Sequence, residues 1–303
     1  MTYIPEKNIA KKYRIHGKPL KIVTLHGGPG EFGGVVNLAV TLSEKYGVLE
    51  PFLTEDTIMG QVHGLKNIID QHVSDKLILI GHSWGAWIAY IFTATYPLMV
   101  KKLVLVGSGP YEHHYYTSLK KKRNQRFSKE DKQQIVELNK MLTAPDIKTP
   151  KIKNKSEILW QIGAIFSKVD NIDLLETPVT GVEKIDSQIL NIQPDYFHNL
   201  LHEAMEMRKS GRLLRFADAI TCPVIAIHGS YDPHPYLGVE NPLKKHLKEF
   251  TFYLIEHCGH KPWLERYAHQ DFYRILNHEI KKTKTHAMVK EKARCSGDIK
   301  NGF

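Results

Sequence analysis

The sequence predicts an α/β protein whose mostly parallel sheet is covered by helices on both faces and interrupted once by a helical insertion. Short, continuous apolar runs recur along the chain, as in strands buried on both faces of a parallel sheet. Patterns with helical spacing follow most of these runs, and such alternation is typical of parallel α/β sheets. The apolar runs lie at residues 20–25, 76–81, 102–107, 223–228 and 250–255.

Helical patterns fill most of the segments between these runs. The last of them carries an apolar stripe that includes Trp263, Phe272 and Leu276, as expected for a helix with one face on the core. The core helices are predicted at residues 35–46, 59–72, 85–96 and 263–280.

A different pattern occupies the chain between Gly109 and Thr221, where strand-like runs stop and helical patterns dominate. Ser128 and Asp131 are spaced as a capping box for the first of these helices. This segment therefore predicts a helical cap inserted between two strands of the core. Its helices are predicted at residues 129–143, 156–168 and 195–210, and the predicted domains are a core of 1–109 and 216–282, a cap of 110–215, and a basic, disordered tail of 283–303.

Composition and charge limit the possible partners. The net charge of +10 comes partly from a basic block at residues 120–126 and from the tail. Neither block has interleaved aromatic residues for base stacking, which favours solvated surface over a nucleic-acid site.

The N-terminal residues lack the apolar region of a signal peptide, and no apolar run is long enough to cross a membrane. The three widely spaced cysteines suggest neither disulfides nor zinc, so a cytoplasmic protein is expected.

A candidate nucleophile lies at residues 81–85, GHSWG, directly after the run at 76–81 and before a predicted helix. This is the G-x-S-x-G pattern in a strand–turn–helix setting, in which glycines permit a sharp turn that lifts the serine hydroxyl clear of the sheet. Ser83 is therefore predicted to be a catalytic serine.

A serine nucleophile needs a base and an acid, and both follow it along the chain. Asp232 comes just after the run at 223–228, and His260 follows the run at 250–255. These positions lie past strand ends, where α/β sheets place their sites. His260 is predicted to be the general base and Asp232 the acid that orients it. His257 is the nearest rival base, while Glu256 and Glu240 are less well placed alternatives to Asp232.

The glycine-rich stretch at residues 24–34, TLHGGPGEFGG, has two possible functions. It contains a G-x-G-x-x-G match, which can bind a dinucleotide, and it can equally supply a backbone donor to an oxyanion. Pro29 lacks an N–H, which disfavours the dinucleotide. The N–H groups of Gly28 and Trp84 are therefore predicted to form an oxyanion hole.

These motifs resemble the α/β-hydrolase superfamily, and the HGGPG and GHSWG motifs are similar to those of its proline iminopeptidase branch. The resemblance implies a mostly parallel sheet of up to eight strands flanked by helices, an inserted helical cap, the triad Ser83–Asp232–His260, an oxyanion hole at Gly28 and Trp84, and no cofactor or metal. In that branch, acids of the cap hold the substrate's free amine.

Two pairs of residues in the predicted cap are candidate binding groups. Glu203 and Glu206 lie three apart on a predicted helix and are candidates for holding a substrate amine, although a solvated helix face is the alternative. His198 and His202 are one helical turn apart, but no third ligand accompanies them, so no metal is predicted.

The leading hypothesis is a serine hydrolase that acts through an acyl-enzyme on a small ester or short peptide. A binding protein or receptor on the same fold is the main alternative, because fold alone does not fix function. A nicotinamide oxidoreductase is a third hypothesis. The oligomeric state and the natural substrate are not predicted.

Overall fold

Seven strands in the described part of the chain form one sheet that carries the rest of the protein. A computed structural model describes residues 10–143, 155–177, 179–190 and 194–282; the predicted tail at 283–303 lies outside these residues. The strands lie in the order β1-β3-β2-β4-β5-β6-β7, and β1 alone is antiparallel to its neighbour within this sheet. The strands are β1 Tyr13–His16, β2 Leu20–Leu25, β3 Gly47–Pro51, β4 Leu77–His82, β5 Val100–Val106, β6 Val224–Gly229 and β7 Phe250–Ile255.

Helices cover the sheet and form the long connection between β5 and β6. None of the described helices is long and apolar enough to cross a lipid bilayer. The helices are α1 Val36–Ser43, α2 Ile58–His72, α3 Trp84–Thr95, α4 Tyr116–Arg126, α5 Lys129–Thr143, α6 Lys155–Asp170, α7 Ser187–Leu190, α8 Pro194–Lys209, α9 Arg212–Arg215, α10 Leu237–His246 and α11 His269–Lys281, with short 3₁₀ turns at His113–Tyr115 and Phe216–Ala219.

The core consists of two apolar layers, one on each face of the sheet. One layer packs strand side chains against α2 and α3, and it also includes Leu200 and Met207 of α8. The other packs the opposite strand face against α1 and α11, through residues such as Leu38 and Phe272. Burial on both faces explains why the central strands are continuous apolar runs.

The sequence predicted most of these elements but not all of them. The strands β1 and β3 were missed, and the helix predicted at 263–280 begins only at His269. Residues 261–268 instead form turns that hold the preceding loop.

The capping box predicted for the helix α5 is present: Ser128 N–H donates to Asp131 Oδ2, and Asp131 N–H donates to Ser128 Oγ, both at 3.0 Å.

The described residues between β5 and β6 form helices α4 to α9 and no strand of the sheet. They pack on α2 and on the loop after β3 through α8: α8 contacts α2, and the Tyr196 hydroxyl of α8 donates to Leu53 O at 2.5 Å. This is the segment predicted to be a cap, and its division from the core as a domain stays a prediction.

Candidate active site

Ser83 occupies a sharp turn between β4 and α3. Its backbone has φ 53° and ψ −112°, a conformation that non-glycine residues rarely adopt. A Cβ atom added to Gly81 would lie 2.2 Å from Gly85 O, and one added to Gly85 would lie 2.5 Å from His26 O. Both flanking residues must therefore be glycine for the turn to close, and the turn leaves Ser83 partly exposed at the carboxyl edge of the sheet.

Asp232 and His260 meet at the same edge, past the ends of β6 and β7. His260 Nδ1 lies 2.7 Å from Asp232 Oδ2, and Asp232 is 1% exposed. A carboxylate only accepts, so Nδ1 carries the proton. The Nε2 atom is then the nitrogen available to take a proton from a nucleophile, which is the tautomer that a general base requires.

Backbone contacts bring Ser83 close to the His260 ring. Ser83 N–H donates to Val106 O at 2.9 Å, and a Cβ atom on the next residue, Gly107, would lie 3.1 Å from His260 Nδ1. The ring centroid of His82, the residue before Ser83, lies 4.7 Å from the ring centroid of His260. The structure thus gathers the three predicted residues at one edge of the sheet.

The loop that carries His260 is held by the end of α6. His260 N–H donates to Asp170 O at 3.0 Å, and Lys261 N–H donates to Asn171 Oδ1 at 2.9 Å. The fully buried carboxylate of Glu265 accepts from the N–H groups of Gly259, Ile172 and Asp173 at 3.1 Å each. The position of the imidazole therefore depends on contacts with the segment between β5 and β6.

Replacement of Glu265 by alanine should destabilise the protein strongly. The change leaves three backbone N–H groups without their acceptor, and each such buried group costs about 1–3 kcal/mol. We expect the free energy of unfolding to fall by about 3 kcal/mol or more, measured by urea denaturation. Glu256→Ala, which removes an exposed glutamate of the same loop, is the matched control. Equal unfolding midpoints for the two variants would contradict this account of the loop.

Two further histidines, His228 and His234, surround the Asp232–His260 pair, and sequence reasoning missed their role. Asp232 Oδ1 accepts from the backbone N–H of His234 at 2.9 Å and from its Nδ1 at 2.8 Å. The His234 ring also stacks on the His260 ring, with centroids 4.4 Å apart. His228 Nε2 lies 3.4 Å from Asp232 Oδ2 and donates to His234 O. The available signal was the placement of His228 and His234 on either side of Asp232 in sequence.

The pKa values of these groups separate one basic histidine from the others. Burial lowers the pKa of His82 well below its usual value, lowers the pKa of His234 to about 4 and also lowers the pKa of His228. Burial alone would lower the pKa of His260 too, but the charge and hydrogen bond of Asp232 raise it above the ordinary value. Burial opposes ionisation of Asp232, yet the surrounding histidines, His260 first, hold its pKa well below the usual range. His260 is thus the basic member of the cluster.

The predicted oxyanion donors lie on two segments that pack together. His26 Nε2 accepts from Leu53 N–H at 3.1 Å, so its Nδ1 carries the proton and donates to Gly27 O at 2.8 Å. The carbonyl and the next N–H point in opposite directions across a trans peptide, so the Gly28 N–H points away from His26. Gly28 has φ +107°, which favours glycine. The Trp84 N–H lies in the first turn of α3, where the helix supplies no acceptor.

An ion pair joins the oxyanion loop to the base loop. Lys261 Nζ lies 2.5 Å from Glu31 Oε1. The Glu31 side chain also lies against Gly27, since a Cβ atom there would be 2.4 Å from Glu31 Oε2. The segment before α1 and the segment after β7 are therefore held together over the site.

Both candidate amine-binding acids, Glu203 and Glu206, make other contacts in the structure. Glu203 Oε2 accepts from Ile58 N–H at 2.8 Å, at the start of α2. Glu206 is exposed and pairs with Lys209 at 3.0 Å. These contacts give no support to binding of a substrate amine by Glu203 or Glu206.

In the described part of the chain, the residues that could together hold a metal ion belong to the site itself. One ligand atom each from Asp232, His234 and His260 lies within 4.8 Å of the others. The Nδ1 atoms of both histidines, however, are already hydrogen-bonded to the carboxylate. These bonds satisfy the cluster without an ion. His198 and His202 are exposed on α8.

The sheet order, the helical insertion after β5 and the sharp turn at Ser83 define the α/β-hydrolase fold. Residues 57–143 match the family described as the alpha/beta hydrolase fold. The crystal structure of VinJ is similar, with a TM-score of 0.63, 15% identity, and coverage of 88% of this chain and 93% of that chain. Proline iminopeptidase of Mycobacterium smegmatis gives a TM-score of 0.55, with 15% identity and the same coverage of both chains.

Curated relatives match shorter segments of the chain. The chain is 28% identical to the proline iminopeptidase of Saccharolobus solfataricus over 123 residues, which span 33% of this chain and 38% of that protein. It is 43% identical to epoxide hydrolase 4 of Homo sapiens over 43 residues, or 14% of this chain and 12% of that protein. The matches thus span well under two thirds of these relatives, and they support the α/β-hydrolase superfamily.

Proposed function

We propose that the protein is a serine hydrolase that cleaves small carboxylic esters, or amide bonds at peptide N-termini, through an acyl-enzyme. The observation that carries the proposal is the 2.7 Å hydrogen bond between His260 Nδ1 and Asp232 Oδ2 beside a serine with φ 53°. Acyl transfer requires an imidazole whose tautomer is fixed, as in His260, beside a serine hydroxyl that a sharp turn exposes, as in Ser83.

In the proposed reaction, Ser83 Oγ attacks the substrate carbonyl while His260 Nε2 takes its proton. Asp232 stabilises the resulting imidazolium. The N–H groups of Gly28 and Trp84 bind the negative oxygen of the tetrahedral intermediate. His260 then gives the proton to the leaving oxygen or nitrogen, which departs and leaves Ser83 acylated. Water, deprotonated by the same histidine, hydrolyses the acyl-enzyme and restores the free serine.

A substrate panel tests the class and size of substrate. We would compare p-nitrophenyl acetate and butyrate, prolyl and alanyl p-nitroanilides, and casein. Helices α4 to α9 follow the strand next to β4, and we propose that they roof the site. We therefore expect turnover of short esters and no cleavage of casein. Rapid cleavage of casein at internal bonds would refute the roofed site, and inactivity on every small substrate would refute the hydrolase.

The pH dependence of kcat/KM should identify the base. His260 must be neutral to accept a proton, so activity should be constant at high pH and fall below its pKa. Because Asp232 raises that pKa, the acid limb should lie above the ordinary histidine value of about 6.5. At pH 5 kcat/KM should be at least about thirtyfold below its plateau.

A variant of the acid provides the control for this profile. In Asp232→Asn the charge that raises the His260 pKa is absent while the burial that lowers it remains. The acid limb of the residual activity should therefore move to lower pH. Full activity of the unaltered protein at pH 5, or an acid limb that Asp232→Asn leaves in place, would contradict the assignment of His260.

A further inference from the structure

Arg208 is a buried cation on α8 that faces the helix after Ser83. It is 7% exposed. Its guanidinium lies 5.1 Å from the ring of Trp87 on α3 and 4.4 Å from the ring of Tyr116 on α4. Aromatic faces attract a guanidinium and hold its plane, but they do not bind its N–H groups. Its Nε is buried and has no hydrogen-bond partner.

No carboxylate of the described residues pairs with this guanidinium. Arg14, the other buried arginine in the described part of the chain, pairs with Glu50 at 3.5 Å. Burial lowers the pKa of Arg208 and the only other contribution comes from Tyr116. An arginine nevertheless remains charged, and an unpaired buried charge is costly. A carboxylate that the described residues do not supply is the natural partner for such a cation.

The contacts of Trp87 connect Arg208 to the reacting residues. Trp87 lies on α3, and its ring centroid is 6.2 Å from that of Trp84, the residue next to Ser83. Its Nε1–H donates to Gly109 O at 3.0 Å, in the loop where Gly107 contacts His260. Arg208 therefore packs on Trp87, which contacts both the residue next to Ser83 and the loop beside His260.

Lys122 is a second half-buried cation without an ion pair in the described part of the chain. It lies on α4, the helix that also contributes Tyr116. Burial lowers the pKa of Lys122, and the nearby charge of Arg126 lowers it further, while the charge of Asp232 raises it. The helix α4 begins at Tyr116, beside Arg208, and ends at Arg126, whose guanidinium donates to the carbonyl of Tyr231, the residue before Asp232, at 2.6 Å. Lys122 thus lies on a basic helix that runs from Arg208 toward Asp232.

We propose that Arg208 binds a carboxylate of the substrate, so that the substrates are esters or amides bearing a second, negatively charged group. A guanidinium presents paired N–H donors that match a carboxylate in a bidentate manner. The stacked rings fix its orientation before the ligand arrives, and Lys122 adds attraction for the same charge. This inference rests on the proposed hydrolase function for its kinetic test.

Matched substrates measure this preference. One pair is mono-4-nitrophenyl adipate and 4-nitrophenyl hexanoate, which differ by a carboxylate on the acyl side. The other is 4-acetoxybenzoate and phenyl acetate, which differ on the leaving-group side. We expect Arg208→Gln to lower kcat/KM for the anionic member of at least one pair by about tenfold to hundredfold, the range for a lost charge-assisted hydrogen bond. The measured quantity is the ratio of kcat/KM for the anionic member to kcat/KM for the neutral member of each pair, because this ratio cancels a general effect of the substitution on turnover.

Two variants control for general effects of the substitution. Arg212→Gln removes an exposed arginine on α9 and should leave both ratios of anionic to neutral substrate unchanged. Arg208→Lys keeps the charge but not the fork, so its loss for the anionic substrate should be intermediate. If Arg208→Gln leaves both ratios as they are in the unaltered protein, the proposal is wrong.

A binding readout separates this inference from the proposed reaction. Hexanoate should raise the thermal unfolding temperature of the unaltered protein and of Arg212→Gln, and should leave that of Arg208→Gln unchanged. Stabilisation without any ester hydrolysis would support the anion site and refute the hydrolase. Hydrolysis of neutral esters with neither anion preference nor stabilisation would refute the anion site alone.

Discussion

Ser83→Ala should lower kcat/KM toward any ester substrate by several powers of ten, on the order of 10⁴- to 10⁶-fold. The variant lacks the atom that forms the acyl-enzyme, and only the oxyanion donors and substrate binding then remain. Stability should change little, because the side chain is partly exposed and alanine meets the same backbone requirement at φ 53°. Initial rates with p-nitrophenyl acetate and thermal unfolding of the same preparation measure both effects.

Ser210→Ala is the matched control for this loss. Ser210 is an exposed serine just after α8, and its removal should leave kcat/KM within about twofold. If Ser83→Ala keeps more than a tenth of the activity while Ser210→Ala is normal, the turn after β4 has another function and the nucleophile lies elsewhere.

His260→Ala and Asp232→Asn should each lose activity on the scale of the serine variant, with Asp232→Asn the milder of the two. Nε2 of His260 is the proton acceptor, and Asp232 fixes its tautomer through the bond to Nδ1. The three side chains act as one unit, so the double variant should be little worse than His260→Ala. A double-mutant cycle in kcat/KM measures this non-additivity. Multiplicative losses would mean that the two residues act independently.

His257→Asn is the control for the base. His257 was the rival in the sequence, but its side chain is exposed and its φ is 51°, a conformation that asparagine tolerates. The variant should therefore fold and retain turnover. An inactive His257→Asn beside an active His260→Ala would transfer the role of the base to His257.

The parts of the fold that the sequence predicted are those with a strong local signal. The strands β2 and β4 to β7 are apolar runs, and four of them are buried on both faces, so periodicity and length reveal them. The strand β1 is a short edge element, and β3 contains Glu50 and ends at Pro51, which disguises it. Trp263 and Leu264 extended the predicted helix too far, because burial in a turn resembles a helical stripe in sequence.

The candidate site divides in the same way. Ser83, Asp232 and His260 could be proposed because each follows a recognisable strand in a fixed order. The stacking of His234 on His260, the hold of Glu265 on the base loop and the burial of Arg208 could not. Each of these depends on contacts between segments far apart in sequence, or on which side of a helix faces inward. Glu203 illustrates the limit, since its helix was predicted and its partner at Ile58 N–H was not.

Covalent labelling tests the proposed nucleophile most directly. The protein is treated with a fluorophosphonate at a pH on the alkaline plateau of its kcat/KM profile, and the adduct is located by intact-mass and peptide mass spectrometry. We expect a single adduct on the peptide that contains Ser83, which is absent from Ser83→Ala and still forms in Ser210→Ala. A Ser83→Ala protein that labels to the same extent, or an adduct on a different serine, would contradict this expectation.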